Sequence, residues 1–161
     1  MGTSTTTTAM TIAEFDALPD DPEHEYELHE GKLVEVTFPI FRHGELQERL
    51  HNLLSGVIPP AAGIVRVEMG FQIQSTARPT KRRADVAFLS QARADAACSM
   101  GIVIGAPELV VEVLSPSNTA SQVNRYARLC LANGAEEFWT VDPDTATLSV
   151  RQKGSPPAQR I

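Results

Sequence analysis

Apolar and polar positions divide this 161-residue chain into stretches with periods of 3.6 and 2 residues. Residues 1–10, rich in Thr and Ser, carry neither period and are expected to be disordered. Thr11-Ile12-Ala13-Glu14 has the spacing of a capping box and predicts a short helix through Phe15 and Leu18. After an acidic, turn-prone link, Glu25-Tyr26-Glu27-Leu28 and Lys32-Leu33-Val34-Glu35-Val36 read as a hairpin around His29-Glu30-Gly31. From His43, the residues Leu46, Leu50, Leu53, Leu54 and Val57 fall on one helical stripe that ends at Pro59-Pro60. Val65, Val67, Met69, Phe71 and Ile73 then alternate with Arg66, Glu68, Gly70, Gln72 and Gln74, predicting a strand with one buried face.

A second strand is centred on Asp85, behind the basic turn Arg78-Pro79-Thr80-Lys81-Arg82-Arg83. Residues 90–106 are Ala-rich and weakly patterned, consistent with a short helix and a loop. Leu109-Val110-Val111-Glu112-Val113-Leu114 is a third strand, followed by a Ser115-Pro116-Ser117-Asn118 turn and a helix over about 119–133. Gly134 is placed to end that helix in a left-handed cap. Phe138-Trp139-Thr140-Val141 is a strand stopped by Asp142-Pro143, Leu148-Ser149-Val150 a last short one, and 154–161 a loose tail. The order from His43, helix, three strands, helix, strand, predicts one α/β (α+β) domain over 11–152 with a mixed sheet flanked by helices. The apolar runs around Glu112 and Val141 mark central strands covered on both faces.

Composition adds limits. The hydrophobic share of 42% and charged share of 21% are those of an ordinary soluble domain. No apolar run approaches a membrane span and no leader pattern precedes the first helix, so no membrane partner is expected. Cys98 and Cys130 lack metal-ligand spacing and read as reduced thiols of a cytoplasmic protein. The net charge of −6 counts against a general nucleic-acid binder. The cluster Arg78, Lys81, Arg82 and Arg83 is the local exception, either a solvated turn or a phosphate-binding patch.

The candidate chemistry lies in two acids. Asp85 and Glu112 each interrupt an apolar strand, where a carboxylate is costly unless its charge is offset. A divalent cation held between them, Mg²⁺ or Mn²⁺, is one remedy and gives metal-assisted phosphodiester hydrolysis as the chemistry. Ion pairs are the other: Asp85 with Arg83, and Glu112 with a helix arginine.

These residues carry a resemblance. Tyr26-Glu27-Leu28 with Glu30-Gly31-Lys32-Leu33, Pro39 with His43, and Arg83-Ala84-Asp85-Val86-Ala87-Phe88 are similar to the Uma-type restriction-endonuclease family of the PD-(D/E)XK nuclease superfamily. So are Glu112-Val113-Leu114-Ser115-Pro116-Ser117 and the ending Phe138-Trp139 to Val141-Asp142-Pro143. The resemblance covers about residues 10–151 and implies a metal site built on Asp85 and Glu112. It also implies a histidine at His43 that handles a proton, and an acid and a lysine four apart on the following helix. Those two positions are Gln122 and Tyr126 here, so the geometry is kept and the charges are not. Tyr126 donates a hydrogen bond but brings no positive charge. Arg125 and Arg128 point about 100° and 200° away from it around the helix, leaving Lys81 or Arg83 to reach in from the strand side. Glu48, on the same helix as His43, reads as a solvated residue.

Two functions follow as expectations. One is a divalent-metal-dependent endonuclease with DNA as partner, using Asp85, Glu112, Tyr126 and His43. The other is a catalytically degenerate relative that binds nucleic acid or protein as a homo-oligomeric module. A sheet edge left after Val150 would be paired in a homodimer.

Overall fold

The computed structural model describes residues 9–37, 40–156 and 159–160. Most of the N-terminal segment expected to be disordered, and Pro39, lie outside the described residues. The first helix, α1 (Ile12–Asp16), starts at Thr11 with the capping box the sequence predicts: Thr11 Oγ1 accepts from the Glu14 N–H, and the Glu14 carboxylate accepts from the Thr11 N–H. Strands β1 (Glu25–His29) and β2 (Lys32–Val36) form the expected hairpin, turned by Glu30 and Gly31, both at positive φ.

The remaining elements are α2 (Phe41–Val57), β3 (Gly63–Ile73), β4 (Thr80–Ser90), α3 (Gln91–Met100), β5 (Val103–Ile104), β6 (Leu109–Val113), α4 (Ala120–Ala132), β7 (Glu137–Asp142), β8 (Thr147–Gln152) and β9 (Gln159–Arg160). The strands form one mixed sheet in the order β2-β1-β4-β6-β7-β8-β9, with β3 on the other edge of β4 and β5 beside β3. The helix–three strands–helix–strand core is therefore present, with α3 and β5 filling the weakly patterned stretch. Gln159–Arg160 pairs Ser149 and Val150, so part of the segment expected to be a loose tail is strand, and part of the β8 edge expected to face a second copy is covered from within the chain.

The core has two layers. Val65, Val86, Leu109 and Val111 pack with Leu50, Leu54 and Ile58 on the α2 side. Met69, Phe71, Ile73, Ala84, Ala87, Leu89, Val110 and Phe138 pack with Tyr126, Ala127, Leu129 and Cys130 of α4 and Ala94 of α3.

This division corrects two expectations. The alternating set of β3 does not stay on one face, because Val65 lies on the α2 side and Met69, Phe71 and Ile73 lie on the α4 side. The switch occurs at Glu68, a non-glycine residue with φ +49°, opposite Asp85. The β3–β4 ladder pairs Val67 with Val86 and Met69 with Ala84 and omits the step between. On α2, Leu53 and Val57 are exposed (69% and 77%) while Gln47 is buried. The inward stripe is thus His43, Leu46, Gln47, Leu50 and Leu54.

Helix α4 begins at Thr119 with a second capping box, closed by Gln122. Gly134 follows it at φ +124°, where an added Cβ would sit 2.7 Å from the Ala106 carbonyl oxygen. Both the backbone angle and the contact oppose any side chain there. Gly134→Ala is expected to cost about 2 kcal/mol, lowering the melting temperature by roughly 6 °C; a thermal melt checks it.

Candidate active site

The site lies where the sheet forks. Strand β4 pairs with β6 only from Val86 to Phe88, against Val111 to Leu109, and then takes β1 as neighbour at Lys81. By register, Asp85 and Glu112 are the next facing pair beyond the last laddered one. Between β6 and β1 the strand edge of β4 is open, and a cavity of about 610 Å³ occupies the gap, lined by both acids together with Glu25, Glu27, His43, Glu68, Arg82 and Arg83. The Ser115–Asn118 turn and Arg42 complete its rim.

Asp85 is held by three donors. Its Oδ2 accepts from the Val113 backbone N–H at 2.6 Å, in place of a ladder bond. Its Oδ1 is 3.0 Å from His43 Nε2 and accepts from Gln47 Nε2 at 2.9 Å. His43 and Gln47 are four apart on α2, so one helical face delivers both. The Gln47 amide also donates to Glu68, whose left-handed backbone turns its carboxylate toward the cavity. Burial pushes the Glu68 carboxyl up, with Asp85 adding to it and Gln47 and Arg83 opposing.

Glu112 differs from Asp85 in kind. Its Oε1 is buried and has no hydrogen-bond partner. Burial, reinforced by the Asp85 charge, pushes its carboxyl well above the usual range, against the pull of Arg82. A buried carboxylate oxygen with no donor is an acceptor waiting for a cation or a proton.

His43 is pushed up by its hydrogen bond to Asp85, against the cost of burial, with the charges of Asp85 and Glu68 adding to it. A histidine raised on folding stabilises the fold fully below its ordinary value near 6.5, and that contribution disappears as pH climbs through the raised value. The melting-temperature difference between wild type and His43→Asn is therefore expected to be larger at pH 6 than at pH 8. Equal differences would contradict it.

The four residues of the basic cluster point to different places. Lys81 pairs with Asp16 at 2.6 Å, and Arg78 pairs with Glu30 at 3.6 Å. Arg78 lines a separate cavity with Arg125 and Arg128, and Arg125 also bonds Glu30. Arg83 faces the candidate cavity and pairs with Glu25 at 2.5 Å and with Glu68 at 3.7 Å. Arg82 also lines the cavity but from the α4 side of β4, its guanidinium carbon 3.5 Å from the centroid of the Tyr126 ring. Its Nε is 3.4 Å from Glu27 Oε2. Tyr126 is buried, meets Phe138 edge-on at 5.3 Å, and keeps a hydroxyl without a partner. Gln122 is spent on the α4 cap, and Glu48 is exposed as the sequence suggests.

Sequence reasoning missed Gln47, Glu68 and the placement of Arg82. Gln47 was legible as the residue one turn beyond His43. Glu68 sat on the polar half of an alternating strand and gave no sign of its backbone turn. The two cysteines are free, Cys98 exposed and Cys130 buried. No helix among the described residues is long and apolar enough to cross a membrane.

Comparison with known proteins agrees with this architecture. No curated protein matches the chain. A crystal structure described as that of "a putative nuclease belonging to DUF820" from Anabaena variabilis superimposes with a TM-score of 0.78. It is 23% identical, over 94% of this chain and 84% of that one, a likeness of fold. The family model Uma2, described as "Putative restriction endonuclease", matches residues 12–159. The forked sheet and the span of that match together establish that the chain belongs to the Uma2 family and has the nuclease-like α/β core of the PD-(D/E)XK superfamily.

Proposed function

We propose that this protein is a divalent-metal-dependent endonuclease that hydrolyses phosphodiester bonds of DNA in the cavity at the sheet fork. The observation that carries the reading is Glu112 Oε1, a buried carboxylate oxygen with no donor, on the same cavity as Asp85. Among the described residues no group of three His, Cys, Asp or Glu side chains is arranged to hold a metal ion. Mg²⁺ does not need such a group. It is bound through one or two carboxylates, with waters and substrate phosphate oxygens supplying the rest of its shell. Asp85 and Glu112 fit that demand and would hold Mg²⁺ or Mn²⁺. Such an ion lowers the pKa of bound water and draws charge from the phosphate.

The protein's own groups do the remaining work. The Val113 N–H and Gln47 fix the Asp85 carboxylate, so it does not have to be ordered when substrate arrives. His43, at the cavity wall and raised toward the charged form, can pass a proton to the leaving oxygen. Arg83 offers its charge to a neighbouring phosphate once Glu25 releases it. Two chains in a homodimer would set one cavity against each strand of a duplex, which sedimentation velocity tests.

A second reading has its own observation. Both oxygens of Asp85 are already engaged by three donors, the arrangement of an acid kept for structure. A degenerate relative that binds nucleic acid without cutting would look like this. Cleavage of supercoiled plasmid and single-stranded DNA in Mg²⁺ and Mn²⁺, beside EDTA, separates the two. Product that depends on metal supports the endonuclease, and DNA retention without product supports the binding module.

A further inference from the structure

We infer that Arg82, braced on the ring of Tyr126, is the fixed cation of this cavity, the group that meets an anionic phosphate oxygen beside Glu112, with Tyr126 as its positioning residue. The inference rests on the reading of the cavity as a phosphodiester site and names the charge that site would use.

Geometry comes first. The guanidinium lies over the Tyr126 ring at 3.5 Å, and that ring is itself locked edge-on against Phe138 at 84°. On its other side Arg82 Nε sits 3.4 Å from Glu27 Oε2. Held between a ring and a buried carboxylate, the side chain lines the same cavity as Asp85 and Glu112. A guanidinium suits such a place because it is always charged, weakly hydrated and stacks on aromatic faces.

Unsatisfied atoms come second. Two polar atoms on residues lining the cavity are buried without a hydrogen-bond partner, Arg82 Nε and Glu112 Oε1. Buried polar atoms nearly always find partners, so two such atoms facing one cavity indicate a polar ligand that completes them. One of them can donate and the other can only accept. That set matches an anionic oxygen arriving with a cation, as a metal-bound phosphodiester would.

Competition comes third. Lys81 is taken by Asp16, and Arg83 by Glu25 and Glu68. Arg82 makes its ion pair with Glu27 at 3.4 Å, longer than the shortest pair of Lys81 (2.6 Å) or of Arg83 (2.5 Å), and leaves Glu112 Oε1 open. Its charge still acts on Glu112 and opposes the effect of burial there. A preorganised cation of this kind stabilises charge that builds on the phosphate in the transition state.

The test uses Arg82→Gln, Arg82→Lys and Tyr126→Leu, each checked for folding by thermal melting. Arg82→Gln is expected to lower Mg²⁺-dependent plasmid cleavage by about 100-fold. In the absence of DNA it should tighten Mg²⁺ binding by about tenfold in calorimetry, because a like charge beside the carboxylate is gone. Arg82→Lys keeps the charge and loses the stack, and Tyr126→Leu removes the brace; each should lose about tenfold in cleavage. If Arg82→Gln does not fold, these two variants decide. Wild-type cleavage rates in all three variants would overturn the inference and leave the endonuclease reading standing. If wild type itself does not cleave, that reading fails, and the Mg²⁺ titration judges Arg82 alone. Unchanged affinity in Arg82→Gln would then overturn the inference, and tighter binding would uphold the placement of its charge.

Discussion

Replacing Glu112 by glutamine is expected to stabilise the metal-free protein at neutral pH while abolishing its cleavage of DNA. The sign follows from the raised carboxyl. A group whose folded value lies above its unfolded one contributes stability when protonated, and that contribution is lost as pH rises from about 4.5 through the folded value. At pH 7 the wild-type fold must either ionise a buried oxygen that has no donor or take up a proton to keep it neutral. Glutamine keeps the shape without the charge, and the gain is about 2 kcal/mol. Near pH 4 the two proteins should melt together. Added Mg²⁺ reverses the order, since at a hundred times its dissociation constant a bound ion stabilises wild type by about 2.7 kcal/mol and does little for the variant. Cleavage should fall about 1,000-fold, the scale of losing a principal transition-state contact. Melting curves over pH, with and without Mg²⁺, check the first part and plasmid assays the second.

Asp85→Ala should act on stability in the opposite direction. The change removes the acceptor of the Val113 N–H and the partner of His43, and leaves Gln47 with Glu68 alone. The expected loss is about 3 kcal/mol, or roughly 10 °C in melting temperature for a chain of this size. Cleavage should also fall to background. Two acids facing each other across the same fork are thus expected to shift stability in opposite senses, because one is fully hydrogen-bonded and the other is not. Equal destabilisation by Glu112→Gln and Asp85→Ala would mean that Glu112 is a satisfied structural acid.

Much of this was legible in the residues. Asp85 and Glu112 stand out because a carboxylate in an apolar strand needs a reason, and the order of periodic segments gives the helix–three strands–helix–strand core. His43 was placed by resemblance, and Gln47 could have followed from helical spacing. The cation was not legible. Spacing on α4 directs attention to positions 122 and 126, where a capping glutamine and a buried tyrosine stand. Strand parity sets Arg82 opposite Arg83 and Asp85, but it could not show which of the two sides of β4 carries the Tyr126 ring. That arrangement depends on the change of face at Glu68 and Asp85, and a left-handed glutamate leaves no trace in a hydrophobic pattern. The division of β3 between two core layers was hidden for the same reason.

On the proposed reading, Asp85 and Glu112 form one metal-dependent hydrolytic site. The most direct test of that reading is nicking of supercoiled plasmid by wild type and by the double variant Asp85→Ala, Glu112→Ala, each in Mg²⁺ and in EDTA. Wild type in Mg²⁺ should give nicked and linear product, and the other three conditions should give none. Equal product from wild type and the double variant, or none from wild type in Mg²⁺, would contradict the reading.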